Sequence, residues 1–311
     1  MAVDPQIYAL DQALHATWED NQILDDDARR EIRACLPDPV NNMSPDTEDD
    51  LDKLQQVLSA CDFLSGIVLD EGEHWLSPRG QSFPASIRKF VHRTASRFVN
   101  TGCGLPDEFI SPLAEYITRS KSHVATLNYD DLLYEGLLSH NVLRGYNGDL
   151  LDGITKSGFS SRNIDRRNTN RFGWYLHLHG SPLYYDAENG QVKNLTCAEF
   201  SRDAEVSSTH IVLTHVRHKP SIISSSEILT EYWKRLKKAF EESDHIILFG
   251  YSGCDTHLNS LIRQESINKK ILVVEWSGAG SYDARSEFWR NSLHADVELA
   301  PLDNILEFKE W

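Results

Sequence analysis

The sequence predicts an α/β protein built on a parallel sheet, with helices covering both faces of the sheet and a largely helical first third. Three observations lead there. The runs HIILF at 245–249 and ILVV at 271–274 are almost continuously apolar, as strands buried on both faces are. From residue 121 onward such runs alternate with helical stretches, the pattern of strand and crossover helix. Before residue 121 the apolar spacing is that of helices instead.

The helical portion, 1–120, carries this spacing over 7–17 and 25–35, then breaks at PDPVNNMSPDTEDD, whose three prolines read as a loop. It resumes with Leu51, Leu54, Val57, Leu58, Cys61 and Leu64 on one face, and again over 84–99, where Pro84 suits a helix start. The sheet-bearing portion, 121–311, offers strands in HVATLNYD, WYLHLHG, HIVLTHV, HIILFGYS and ILVVEW, with helices in DLLYEGLL and EILTEYWKRLKKAF. The whole of 1–311 reads as one domain. In such sheets the ligand lies beyond the carboxyl ends of the strands, so the residues just after each apolar run are the ones to inspect.

Composition narrows the function. Of 311 residues, 40% are hydrophobic and 25% charged, and no apolar run is long enough for a membrane span. The N-terminus lacks the basic and apolar regions of a secretory signal. A net charge of −16 repels nucleic acid and argues against direct nucleic-acid binding. The five cysteines form no C-x-x-C pair, which points away from a zinc ribbon or a disulfide framework and toward a reducing cytoplasm.

Three strand ends carry candidate chemistry. Thr126-Leu127-Asn128-Tyr129-Asp130 runs straight into a helix. Asn128 can donate and accept hydrogen bonds to a ribose or a water, and equally Asn and Asp are good helix caps. In Tyr175-Leu176-His177-Leu178-His179-Gly180-Ser181, His179 at the strand end suits a general base, while His177, deeper in the strand, reads as core. The same H-x-H is also half of a metal site. The third is Phe249-Gly250-Tyr251-Ser252-Gly253-Cys254-Asp255, a small-residue turn that lets a phosphate or ribose approach, or a tight turn with Ser252 or Asp255 as helix cap. Arg162, Arg166, Arg167 and Arg171, and the group His215, Arg217, His218 and Lys219, read as solvated loops.

The order of T-x-N-Y-D at 126–130, L-H-G-S at 178–181 and F-G-Y-S-x-x-D at 249–255 resembles the SIR2-like family, in its prokaryotic, NAD-consuming, defence-type branch. The resemblance covers roughly 120–280. It implies a Rossmann-like sheet, NAD as substrate, no metal, and cleavage of the nicotinamide–ribose bond, in the manner of an anti-phage effector. Asn128 and His179 would be the catalytic pair. Thr126, Asp130, Gly180, Gly250, Ser252 and Asp255 would line the NAD site, with Gly250 and Ser252 at the adenosine. A homo-oligomer or a partner defence protein fits the same family habit.

Two departures stand out. The paired cysteines of the deacylase sirtuins are missing, which disfavours deacylation. The family also opens with an apolar strand and a Gly-x-Gly-x-Ser-type loop that cradles the pyrophosphate, and this sequence has no such loop. Three functions therefore stand side by side: an NAD glycohydrolase, a non-catalytic nucleotide- or partner-binding module, and a metal-dependent hydrolase using His177, His179 and His257 or Asp255. The missing loop further leads to the expectation that Met1 is an internal methionine, with roughly 20 or more residues of strand and loop upstream. In-frame translation of the upstream DNA is expected to reveal that strand and loop, and a stop codon immediately before Met1 would exclude it.

Overall fold

Capping residues set the ends of most of the helices that the spacing predicts. The computed structural model describes residues 5–40, 43–67, 73–166, 172–200 and 209–311. Helix α1 spans Leu10–Trp18, and α2 spans Asp26–Ala34 behind Asp25, whose carboxylate accepts from the Ala28 N–H at 2.7 Å. Helix α3 (Asp52–Ser65) follows a capping box in which the side chains of Thr47 and Asp50 each accept from the other's backbone N–H. Helix α4 (Pro78–Ser96) starts behind the capping Ser77, with its first residue six positions before the expected start, and Pro84 lies buried inside it. A capping serine followed by proline in the first turn is the stronger start signal, and the earlier turn is needed to present Phe83 to the core. Leu14, Trp18, Ile32, Leu54, Leu58, Phe83, Ile87 and Phe90 from these four helices form one apolar cluster, with Trp18 set edge-on to Phe90 at 6.5 Å.

Helix α5 (Asp107–Ser120) leads into β1 (Val124–Thr126), followed by α6 (Leu132–Ser139), β2 (Leu150–Leu151), β3 (Ile154–Thr155), β4 (Gly158–Phe159) and β5 (Gly173–His177). Strands β1, β5 and β2 make a parallel sheet with β5 central, and Thr126 stands opposite His177. The short pairs β3–β4 and β6 (Tyr184–Asp186)–β7 (Val192–Asn194) are antiparallel hairpins that the apolar pattern did not indicate. After α7 (Lys219–Ser225) and α8 (Glu227–Glu242) come β8 (His245–Phe249), α9 (Thr256–Glu265), β9 (Lys270–Trp276), α10 (Tyr282–Leu293) and β10 (Glu298–Leu302). Strands β8, β9 and β10 form a second parallel sheet with β9 central.

One expected strand is not there. HIVLTHV at 210–216 makes only an isolated bridge, Ile211 to Gly180. Its apolar alternation has another cause. Ile211 and Leu213 enter the cluster of the N-terminal helices, while Val212 enters the sheet core. The segment is a seam between two cores, tied to the end of β5 by that one bridge and not by a ladder.

The single parallel sheet expected from the sequence is present as two three-stranded halves. The halves run alongside in the same sense. At the amino ends His123 Nε2, just before β1, lies 3.5 Å from Glu242, just before β8. At the carboxyl ends His179 meets Asp255. One cluster, with Trp174 and Leu176 of β5 beside Leu248 and Val273, spans both halves. Among the described residues no ladder joins β1 to β8. The burial agrees with this: β5 is buried along its whole length, whereas Ala125 is exposed and Val124, Thr126, Ile247 and Phe249 are half-buried. Two strand edges in an otherwise covered sheet thus keep unpaired backbone groups. Hydrogen–deuterium exchange is expected to be at least about tenfold faster at the β1 and β8 amides that point away from β5 and β9 than in β5 itself. Equal protection would mean that these edges are covered in solution.

Candidate functional site at the carboxyl ends of the strands

The site is built around one imidazole. β5 ends at His177, and the chain turns through Gly180, whose φ of 80° and closeness to His210 leave no room for a side chain: a Cβ there would stand 1.7 Å from the His210 carbonyl oxygen. The turn delivers His179 to the carboxyl edge, 5% exposed, beneath the Tyr129 ring at 6.4 Å. Its Nε2 lies 3.1 Å from Asp255 Oδ2. An ionised carboxylate only accepts, so Nε2 carries the proton and Nδ1 is left as the basic nitrogen.

Asp255 does three things at once. Its Oδ1 accepts from the Leu258 N–H at 2.8 Å and caps α9. Its Oδ2 accepts from His179 and from Lys219 Nζ, the latter at 3.2 Å. Burial pushes this carboxyl up, but the His179 hydrogen bond, the Leu258 amide and the Lys219 charge outweigh it and hold the group well below the usual carboxylate range. Lys219, 6% exposed, also lies 3.1 Å from Glu48 Oε2. Around it Asp52 takes His218 at 2.7 Å and Arg217 at 3.2 Å, and Asp49 takes His215 at 3.6 Å.

The basic group 215–219 is therefore no solvated loop. It is the ion-paired seam between the N-terminal helices and the site. Lys219 and Glu48 were missed by sequence reasoning. The acidic run 48–50 and the basic run 215–219 are complementary in charge, but nothing in a single sequence says that segments so far apart meet.

The β1 end divides its candidates. Thr126 Oγ1 accepts from the Asn128 N–H at 3.1 Å, which sets the turn. Asp130 Oδ1 accepts from the Leu132 N–H at 3.1 Å and supports the start of α6. Burial raises the Asp130 carboxyl, against the lowering effect of the Leu132 amide and the Asn128 side chain. Helix support thus falls to Asp130, and Asn128 is left exposed at the end of the strand beside β5. After β8, Gly250 (φ 61°) and Ser252 are also exposed. The Tyr251 hydroxyl holds this turn by bonds to the Asp255 backbone and to Asn259 Oδ1.

Other candidates lie elsewhere. His177 is packed among Tyr134, Tyr175 and Tyr184, as the core reading expects, with no hydrogen-bond partner for Nδ1 among the described residues. The His257 ring lies tilted against Trp233, centroids 4.3 Å apart. Among the described residues no group of three His, Cys, Asp or Glu side chains could hold a metal ion. Arg166, expected in a solvated loop, pairs with Glu242 and lies over Trp174 at 4.3 Å, at the amino end of the sheet and away from the site. Arg162 is exposed, and Arg167 and Arg171 fall outside the described residues. No helix among the described residues is long and apolar enough to cross a membrane.

The arrangement presents a buried, oriented base beside an exposed amide and a small-residue turn, on the carboxyl edge of parallel strands. That is the edge at which parallel α/β sheets carry their ligands. Residues 122–274 match the model of the SIR2-like domain, so the sheet-bearing region is similar to that family. No curated protein matches the chain.

The buried bases also set a pH dependence. Burial pulls His177 down from 6.5 to about 3, and it pulls His92 down to about 4. A base depressed in the folded state is protonated first in the unfolded chain. The stability these residues allow is complete above pH 6.5 and is lost as pH falls toward 4. The urea midpoint is expected to drop steadily between pH 7 and pH 4, with a shallower drop in His177→Phe. An identical slope in that variant would count against the buried-neutral assignment.

Proposed function

We propose that this protein binds NAD and cleaves its nicotinamide–ribose bond. The observation that carries the reading is the His179–Asp255 pair, buried at the strand ends between exposed Asn128 and the exposed Gly250–Ser252 turn. The match of residues 122–274 to the SIR2-like domain supports NAD as the ligand class. The residues present suit a dinucleotide in part. Gly250, at φ 61° and exposed, allows close backbone approach, and Ser252 offers a hydroxyl to the adenosine.

In this reading water attacks the anomeric ribose carbon as the bond to the nicotinamide nitrogen breaks and its electron pair leaves with nicotinamide. Asn128 orients the water and the ribose by its amide. His179 Nδ1 takes the proton that the water, or the ribose hydroxyl, gives up. Asp255 holds the tautomer and stabilises the imidazolium. Thr126 and Asp130 shape the turn that presents Asn128. Two residues expected at the cofactor take other parts. Asp255 has its carboxylate engaged by His179, Lys219 and Leu258, and it positions the base. Gly180 is buried against His210 and serves the turn. NAD depletion as an anti-phage effector, alone or in an assembly, is the biological role that goes with this chemistry.

The second reading is a nucleotide- or partner-binding module without turnover. It is favoured by the lack of any Gly-x-Gly-x-Ser loop in the 311 residues and by the open edges of β1 and β8. Incubation with NAD separates the two. Wild type is expected to release nicotinamide, and His179→Ala and Asn128→Ala are expected to lose on the order of a hundredfold or more of that rate. NAD binding by calorimetry without release from any version would establish the module instead.

A further inference from the structure

The charge chain Glu48–Lys219–Asp255–His179 is not needed to explain either the fold of the sheet or the capping of α9. Asp255 already caps α9 through Oδ1, and a hydrogen bond from His179 alone would orient the ring. Yet a lysine with 7% of its side chain exposed is placed on the same oxygen, Oδ2, and is held there from the other side by Glu48 at 3.1 Å. Burying an ammonium is costly unless it is paired, so two carboxylates converge on it. Glu48 comes from the 3-10 turn Glu48–Leu51 ahead of α3, and Lys219 opens α7. The helical first third thereby reaches the base at the strand ends through one side chain.

We propose that Lys219, anchored by Glu48, is a positioning residue that governs how readily His179 takes up a proton, by neutralising the Asp255 carboxylate on which the imidazole rests. The proposal deepens the NAD-cleaving reading and rests on it for its consequence in turnover. The physical argument is one of balance. An anionic carboxylate at 3.1 Å favours imidazolium, which is no longer a base. Lys219 on the same oxygen cancels much of that field, and Glu48 tempers Lys219 in turn. The other groups facing the imidazole are few. Tyr129 lies tilted against the ring from the β1 side, and His257 interacts electrostatically with His179, Asp255 and Lys219 from α9. His210 lies against the turn but spends its ring on Asp186 and Ser226.

The test uses the full chain in three versions: wild type, Lys219→Met and Lys219→Arg. The carbon-13 resonances of ring-labelled histidine are followed with pH, with His179 assigned from His179→Gln. Loss of the Lys219 charge is expected to move the His179 titration upward by about one pH unit, so that the free base is regained only at correspondingly higher pH. Lys219→Arg is expected to restore the wild-type midpoint, which a merely structural lysine would not require. Nicotinamide release is expected to follow, with the acid limb of the rate–pH profile of Lys219→Met displaced by the same amount and the rate recovered at higher pH. An unmoved His179 titration in a folded Lys219→Met protein would overturn the proposal. A moved titration with no nicotinamide release in wild type would retain the electrostatic role of Lys219 and discard the NAD-cleaving reading. If Lys219→Met does not fold, Glu48→Gln replaces it, with the opposite sign: the titration moves downward, and no movement overturns the proposal.

Discussion

The site depends on one carboxylate. Asp255 joins the start of α9, the turn after β5 and the head of α7, because its two oxygens accept from Leu258, His179 and Lys219 together. Each donor belongs to a different part of the chain. The β8–α9 turn brings the acid, the end of β5 brings the base, and the seam at 210–219 brings the cation. A group that satisfies three donors in a nearly dry setting resists protonation, and it fixes the tautomer of the ring it holds. The direction of the basic nitrogen of His179 is decided there.

The N-terminal helices serve this arrangement more than their apolar spacing suggests. Their cluster receives Ile211 and Leu213, and their acidic turn receives His215, Arg217, His218 and Lys219. Segment 210–219 is thus clamped on both sides, by apolar side chains at its start and by ion pairs at its end. The backbone beside Gly180 is part of the same clamp, since the Val212 N–H donates to the His179 carbonyl. The helical third therefore backs the His179 imidazole through apolar packing at one end of this segment and ion pairs at the other.

The two half-sheets raise a separate physical point. Parallel strands are normally buried on both faces and paired on both edges, and β5 and β9 conform. β1 and β8 have one paired edge each, yet a shared apolar cluster packs across both halves. The apolar core is continuous where the sheet is not. Both Asn128 and the Gly250 turn stand at the ends of these two edge strands, so the exposed residues of the site and the exposed strand edges are neighbours along the chain.

Local patterns were legible where a residue acts through its own backbone or its own strand. The apolar runs gave β5, β8 and β9, the parallel sense of the sheets, and the helices α1 to α3 and α8. His179 after its strand and Asn128 before its helix were readable as polar groups at strand ends, and His177 as core, because position along a strand already says how deep a side chain lies. The same local logic misplaced what tertiary contacts govern. HIVLTHV alternates like a strand but feeds two different cores, and the basic run 215–219 looks solvated until the acidic turn at 48–52 covers it. Pro84 marked a start that the better cap at Ser77 had already claimed. What the sequence determined by itself was which residues could do chemistry and on which edge they would stand. Only the tertiary structure decided that Asp255 holds His179, that Lys219 holds Asp255, and that Glu48 holds Lys219, because these are charge contacts between distant segments, and no local periodicity encodes them.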